Sequence, residues 1–168
     1  MPDILIRALF QAWADLDRAI AELTPAQATT RDHGGSSIAW TVGHLTQQVD
    51  SWLNVRFQGL APHPVIGQPD FHTGGSGTAT NWPAIVAGVR AVQATARQYL
   101  AAAPGPDLAR VVPYDGGVRF LHATGLSLRY AVLSIAAHHW EHIGEILTLR
   151  ALLGNIIEDE RAWGRDLL

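Results

Sequence analysis

The chain has 168 residues, 48% hydrophobic and 16% charged, with no cysteine, eight histidines and a formal net charge of −3. All twelve basic residues are arginine. A chain of this length buries roughly 68–70% of the surface its unfolded form exposes, so it needs no disulfide or metal merely to fold, and a metal site must be functional. The missing cysteine excludes protein thiol nucleophiles, disulfides and cysteine-ligated metals, and the missing lysine excludes Schiff-base and P-loop chemistry. Slight acidity without any basic run argues against nucleic acid as the partner.

The opening stretch MPDILIRALF places Asp3 and Arg7 among its apolar residues, which is not the basic-then-apolar order of a secretory signal. The charge-poor stretch 71–89 is too rich in Gly, Thr and Asn for a membrane helix. The expectation is a cytoplasmic protein without a membrane partner.

Apolar residues recur at helical spacing in four segments. The first helix is predicted over about 3–23, where Leu5, Leu9, Trp13, Leu16, Ile20 and Leu23 form a stripe that Thr24-Pro25 ends in a short turn. The second, about 37–58, follows His33-Gly34-Gly35 with Ser36 or Ser37 as N-cap and carries Ile38, Val42, Leu45, Val49 and Trp52. The third, about 82–103, opens at Asn81-Trp82-Pro83 and stops at Pro104-Gly105-Pro106. The fourth, about 126–153, ends at Gly154-Asn155, leaving a mostly polar tail to Leu168 with room for one helical turn.

Two irregular segments separate these helices. Leu60 to Thr80, rich in Gly, Pro and Thr, is long enough that function or mobility is expected of it. Further on, Arg110–Tyr114 and Val118–Leu121 flank Asp115-Gly116-Gly117, which predicts a short β-hairpin between the third and fourth helices, with Pro113 confining its strand to an edge. With no repeat or linker visible, the predicted fold is all-α: a single-domain four-helix bundle over 1–168.

The sharpest chemical signal is His138-His139-Trp140-Glu141-His142 in the fourth helix. The stripe Leu128, Ala131, Ile135, His138, His142, Ile146, Leu149, Leu153 sets His138 and His142 toward the core, about 40° apart and one turn apart, where one ion could meet both rings. His139 points elsewhere, although its spacing from His142 also permits pairing. The same periodicity suits a buried polar pair bonded to backbone carbonyls or to Glu145. His44, next to the seam residue Leu45, is the best third ligand, and Gly43 beside it would let another helix approach. Three imidazoles would hold Zn²⁺ or Ni²⁺ with positions left open, as in a catalytic site.

Ser37-Ile-Ala-Trp-Thr-Val-Gly-His44-Leu and His138-His-Trp-Glu-His142-Ile-Gly-Glu-Ile146, with Pro113-Tyr114-Asp115-Gly116 ahead of the last helix, resemble the motifs of the DinB/YfiT-like family of four-helix-bundle metalloenzymes. The resemblance covers nearly the whole chain. It implies His44, His138 and His142 as ligands of one divalent ion, zinc first and nickel next. It also implies a small-molecule substrate, a thiol transferase or isomerase activity with a low-molecular-weight thiol cofactor, and pairing into a homodimer. A metal-dependent hydrolase and a non-catalytic metal-binding stress-response module are the alternative functions.

Other residues enter as candidates. Glu145 lies close to the direction of the histidine pair and would orient a ligand imidazole or act as a catalytic base, whereas Glu141 would border the site. Asp50 falls on another face of the second helix, with a role behind the ligands as its functional alternative. His63 and His72 in the long loop could approach the ion as lid residues. Gly74 to Thr78 is expected as flexible loop rather than a phosphate cradle. Arg31, Arg119 and Arg129 could recognise an acidic cofactor group. Trp40, Trp52 and Trp140 would wall the pocket or fill the core.

Overall fold

The computed structural model describes residues 3–31 and 34–157. His33 and most of the C-terminal tail, including any helical turn there, lie outside the described residues. Helix α1 spans Ile4–Ile20, a short α2 Pro25–Thr29, α3 Ile38–Val49, α4 Trp82–Leu100, a short α5 Leu121–Thr124 and α6 Leu128–Leu152. The strands are β1, Val111–Val112, and β2, Leu126–Ser127. The four long helices close a ring in which α1 lies along α6, α6 against α3, α3 against α4, and α4 back on α1.

Local sequence chemistry sets the helix starts. Asp3, Ser37, Asn81 and Ser127 each accept a backbone N–H of the first turn that follows, so an otherwise unpaired donor is satisfied at the head of each long helix. The turn expected after Thr24 is a five-residue helix, closed by a reciprocal pair between Thr24 and Gln27. At the far end of α1, Arg150 of α6 donates to the carbonyls of Ala19 (2.7 Å) and Ala21 (2.8 Å), which have no helical partner.

Three expectations need correction. Beyond Val49 the second helix continues as π-helix over Asp50–Phe57. The expected hairpin does not form about Asp115-Gly116-Gly117: Val111 pairs with Ser127 and Val112 with Leu126, antiparallel. Val118 to Phe120 turn into α5, and Gly125, at φ 74°, swings the chain back beside β1 with no room for a Cβ against Val112. On α6 the buried face runs through Ile135, Ala136, His139, Ile143, Ile146 and Arg150. His139 is therefore the core histidine, while His138 and His142 are half-buried at the margin of that face. A step of three or of four from Ile135 is equally helical, and Ala136 and Ile143 decide for four.

Leu60 to Thr80 is packed rather than loose. Ile66 and Phe71 are buried, and each seats on a glycine. A Cβ on Gly88 of α4 would lie 2.7 Å from Ile66, and one on Gly43 of α3 would lie 2.2 Å from the Phe71 ring. The neighbour for which Gly43 makes room is thus this loop, not a helix. Asp50 holds the loop's start, accepting from the His63 backbone N–H at 2.8 Å.

Helices α1 and α6 share a buried carboxylate. Asp15 accepts from Gln11 Nε2 (2.7 Å), from Trp140 Nε1 (2.9 Å) across the interface, and from Arg18. Replacing Asp15 by Ala removes the buried acceptor these donors share and is expected to cost about 2–4 kcal/mol in urea unfolding, against about 1 kcal/mol for Trp140→Phe, which removes one donor. His139 supplies a pH dependence. Burial pushes its imidazole down to about 4 from 6.5, so at intermediate pH the unfolded chain binds a proton that the folded chain refuses. Stability contributed by this group is complete above pH 6.5 and is lost as pH falls from there toward about 4, and His139→Leu is expected to make the urea midpoint fall less steeply over that window than in the wild type.

Candidate metal centre

His44 on α3 and His138 and His142 on α6 meet where these helices pack, and one ring nitrogen of each lies within 4.8 Å of those of the other two. Ring centroids are 5.0 Å apart for His44 and His138, 5.6 Å for His44 and His142, and 4.6 Å for His138 and His142. Among the described residues this is the group of histidines and carboxylates that could hold a metal ion.

Each imidazole is oriented by an oxygen at Nδ1. His44 donates to the Phe71 carbonyl (2.8 Å), His138 to Gln48 Oε1 (2.9 Å), and His142 to Glu145 Oε2 (2.5 Å). An acceptor at Nδ1 fixes the tautomer that carries its proton there and leaves Nε2 with a free lone pair, as in metal-ligating histidines. His138 and His142 then present Nε2 to Nε2 at 2.9 Å, two lone pairs face to face. Either a second proton on one ring or a cation relieves that repulsion. Burial works against the proton: it lowers the His44 pKa and takes His138 to about 3, with His142 and His44 adding to the effect at His138. A third imidazole converging on the same point fits an ion better than a shared proton, so the residues present suit a divalent metal.

Two separate clefts reach this centre. One of about 420 Å³ is lined by His44, His138, Gln48, Trp52, Arg56 and Tyr114. The other, about 390 Å³, is lined by Trp40, Thr41, His142, Gly144, Glu145 and Leu149. A larger concavity of about 620 Å³ runs along the 100–109 segment, away from the histidines.

The remaining candidates divide. Glu145 is exposed and sits behind His142 as its hydrogen-bond partner, while Glu141 is exposed and lines neither cleft. His72 lines the first cleft and accepts from Gln47 (3.2 Å). His63 is turned inward on its own loop, where Nδ1 accepts the N–H groups of Val65 and Ile66. Asp50 serves the loop, as described. Gly74 to Thr78 is tied down by Asp70, which accepts from Ser76 N (2.9 Å) and Oγ (2.8 Å), and by Arg31, whose guanidinium bonds the Gly35 and Ser76 carbonyls. Arg119 is exposed and Arg129 lines the distant concavity, so the arginine of the metal cleft is Arg56. Trp40 stacks on His44 (5.0 Å, 6°) and Trp52 lines the first cleft, but Trp140 neither walls the pocket nor fills the core.

Gln48 was readable in principle, since it lies one turn beyond His44 on the same face. The Phe71 carbonyl was not, because a backbone acceptor leaves no mark in residue identity. A Gly43→Ala substitution displaces the Phe71 ring and with it the carbonyl that orients His44. We expect a 10–100-fold loss of affinity for an added divalent ion by chelator competition, recovered when Phe71→Ala removes the ring from that space.

The chain has also been compared with known proteins. No curated protein and no solved structure matches it. A family model described as the DinB superfamily does match, over residues 8–146, from the first helix through both histidines of α6. The span takes in most of the chain and all three converging imidazoles, and on that ground the chain belongs to the DinB superfamily.

Proposed function

We propose that the protein holds one divalent ion, zinc in preference to nickel, on Nε2 of His44, His138 and His142, and acts as a thiol transferase on a small-molecule substrate in the cytoplasm. The observation that carries this reading is the pair of clefts at one histidine cluster, room for a thiol on one side and its acceptor on the other. When bound, the ion supplies Lewis acidity that lowers the pKa of a thiol brought against it. The chain has no cysteine, so the sulfur arrives on the ligand.

The protein's own residues do the rest. The Phe71 carbonyl, Gln48 and Glu145 keep the three rings in the ligating tautomer. Trp40, stacked on His44, restricts that ring and walls the second cleft. Glu145 stands at the same cleft, with one oxygen engaged by His142 and the other left to accept a proton from the reacting group.

Elemental analysis of protein purified without a histidine tag is expected to find close to one divalent ion per chain, and His44→Ala and His142→Ala to lose it. Unchanged metal content in both variants overturns the site. With the site established, a panel of low-molecular-weight thiols against electrophiles is expected to give turnover that chelation abolishes and zinc restores. Metal-replete protein that shows no thiol-dependent turnover would point instead to a hydrolase or to a binding module.

A further inference from the structure

The first cleft contains a cation that the metal centre does not use. An α-helix advances roughly 100° per residue, so Arg56, twelve residues after His44, would stand roughly 120° around the axis, and Val55 would face the cleft in its place. The π-helical run Asp50–Phe57 changes this. Its i→i+5 turns hold about one residue more, roughly 80° per residue, and they bring Arg56 back into line with His44.

Arg56 is held in that position by Pro113 and Tyr114. Its Nη1 donates to the Pro113 carbonyl at 3.3 Å and its guanidinium lies over the Tyr114 ring at 4.8 Å. Its carboxylate partner is of a different kind: Nη2 donates to Asp115 Oδ1 at 2.5 Å, and the Asp115 side chain is 89% exposed against 24% for Arg56. Exposed pairs of this sort contribute little and exchange readily. Beside them Gly117 has open space where a side chain would be.

We propose that Arg56 is the receptor for a carboxylate of the small molecule bound in this cleft, and that Asp115 occupies the receptor until the ligand's carboxylate replaces it. The fork of a guanidinium can take a planar carboxylate through two parallel N–H bonds, and Asp115 already places a carboxylate on this one through a single bond from Nη2. The inference deepens the thiol-transfer reading by making the ligand of the His44 side an acid, and it rests on that reading for the group at the ligand's other end.

The test uses succinate as probe and inorganic phosphate as control, titrated by calorimetry into the protein as purified. Succinate is expected to bind more tightly than phosphate, to lose at least tenfold in affinity in Arg56→Leu, and to lose several-fold in Arg56→Lys, whose point charge lacks the fork. In Asp115→Asn it is expected to bind two- to fivefold more tightly, because the internal competitor is gone. No succinate binding by the wild type, tighter phosphate binding, or unchanged affinity in Arg56→Leu overturns the proposal. Should Arg56→Leu fail to fold, the exposed substitution Asp115→Asn decides alone: tightening supports the exchange, whereas unchanged or weakened binding makes the pair a structural clamp and overturns it. Metal content is read on the same samples. Wild-type protein without metal that binds succinate through Arg56 overturns the metal reading and leaves this one standing, and metal-replete protein indifferent to Arg56→Leu does the reverse.

Discussion

A neutral imidazole carries one N–H, and on His44, His138 and His142 alike that proton is claimed at Nδ1 by an oxygen. The three acceptors come from different parts of the chain: a loop carbonyl, an amide one turn along α3, and a carboxylate within α6. Their shared effect is to turn three lone pairs inward to a place where each repels the others. A centre built this way is unfavourable for the protein alone, and the rest of the fold must hold it together until something positive shares it.

The burden falls on the packing of α3 against α6 and on the loop that crosses α3. Phe71 can deliver its carbonyl to His44 only because Gly43 has no side chain, and the loop is in register only because Asp50 and the Ile66–Gly88 contact pin its first half. On the opposite side of α6, the Asp15 network and Arg150 fix that helix against α1. These buried polar groups sit where a pure hydrophobic seam would let the helices slide and rotate, whereas a hydrogen bond of fixed length does not.

Much of this was legible in the sequence. Periodicity located all four long helices within a few residues, because each has apolar residues recurring at steps of three and four and opens at an Asp, Ser or Asn cap. The triad was legible from His44 and the pair His138 and His142 together with their motif contexts. Rotational phase was harder to read. An error of one residue is about 100°, and it exchanged His139 for its neighbours at the core and hid Arg56 behind Val55 where α-helix gives way to π. The misplaced hairpin has a similar origin. Asp-Gly-Gly is a good turn signal, but Gly125 at positive φ brought a different segment beside β1, and strand partners are chosen by tertiary contact. The loop's role was least legible, since it acts through a main-chain oxygen.

The cleft beside His142 is bounded on one side by Gly144, where a Cβ would meet nothing within 4 Å. A glycine inside a helix is ordinarily a small liability, and most replacements would strengthen α6. The volume of this cleft is therefore not tied to the integrity of the bundle. Single codon changes at position 144 can narrow or reshape the mouth without disturbing the three histidines behind it, so what the cleft admits can drift through evolution while the histidine cluster stays fixed.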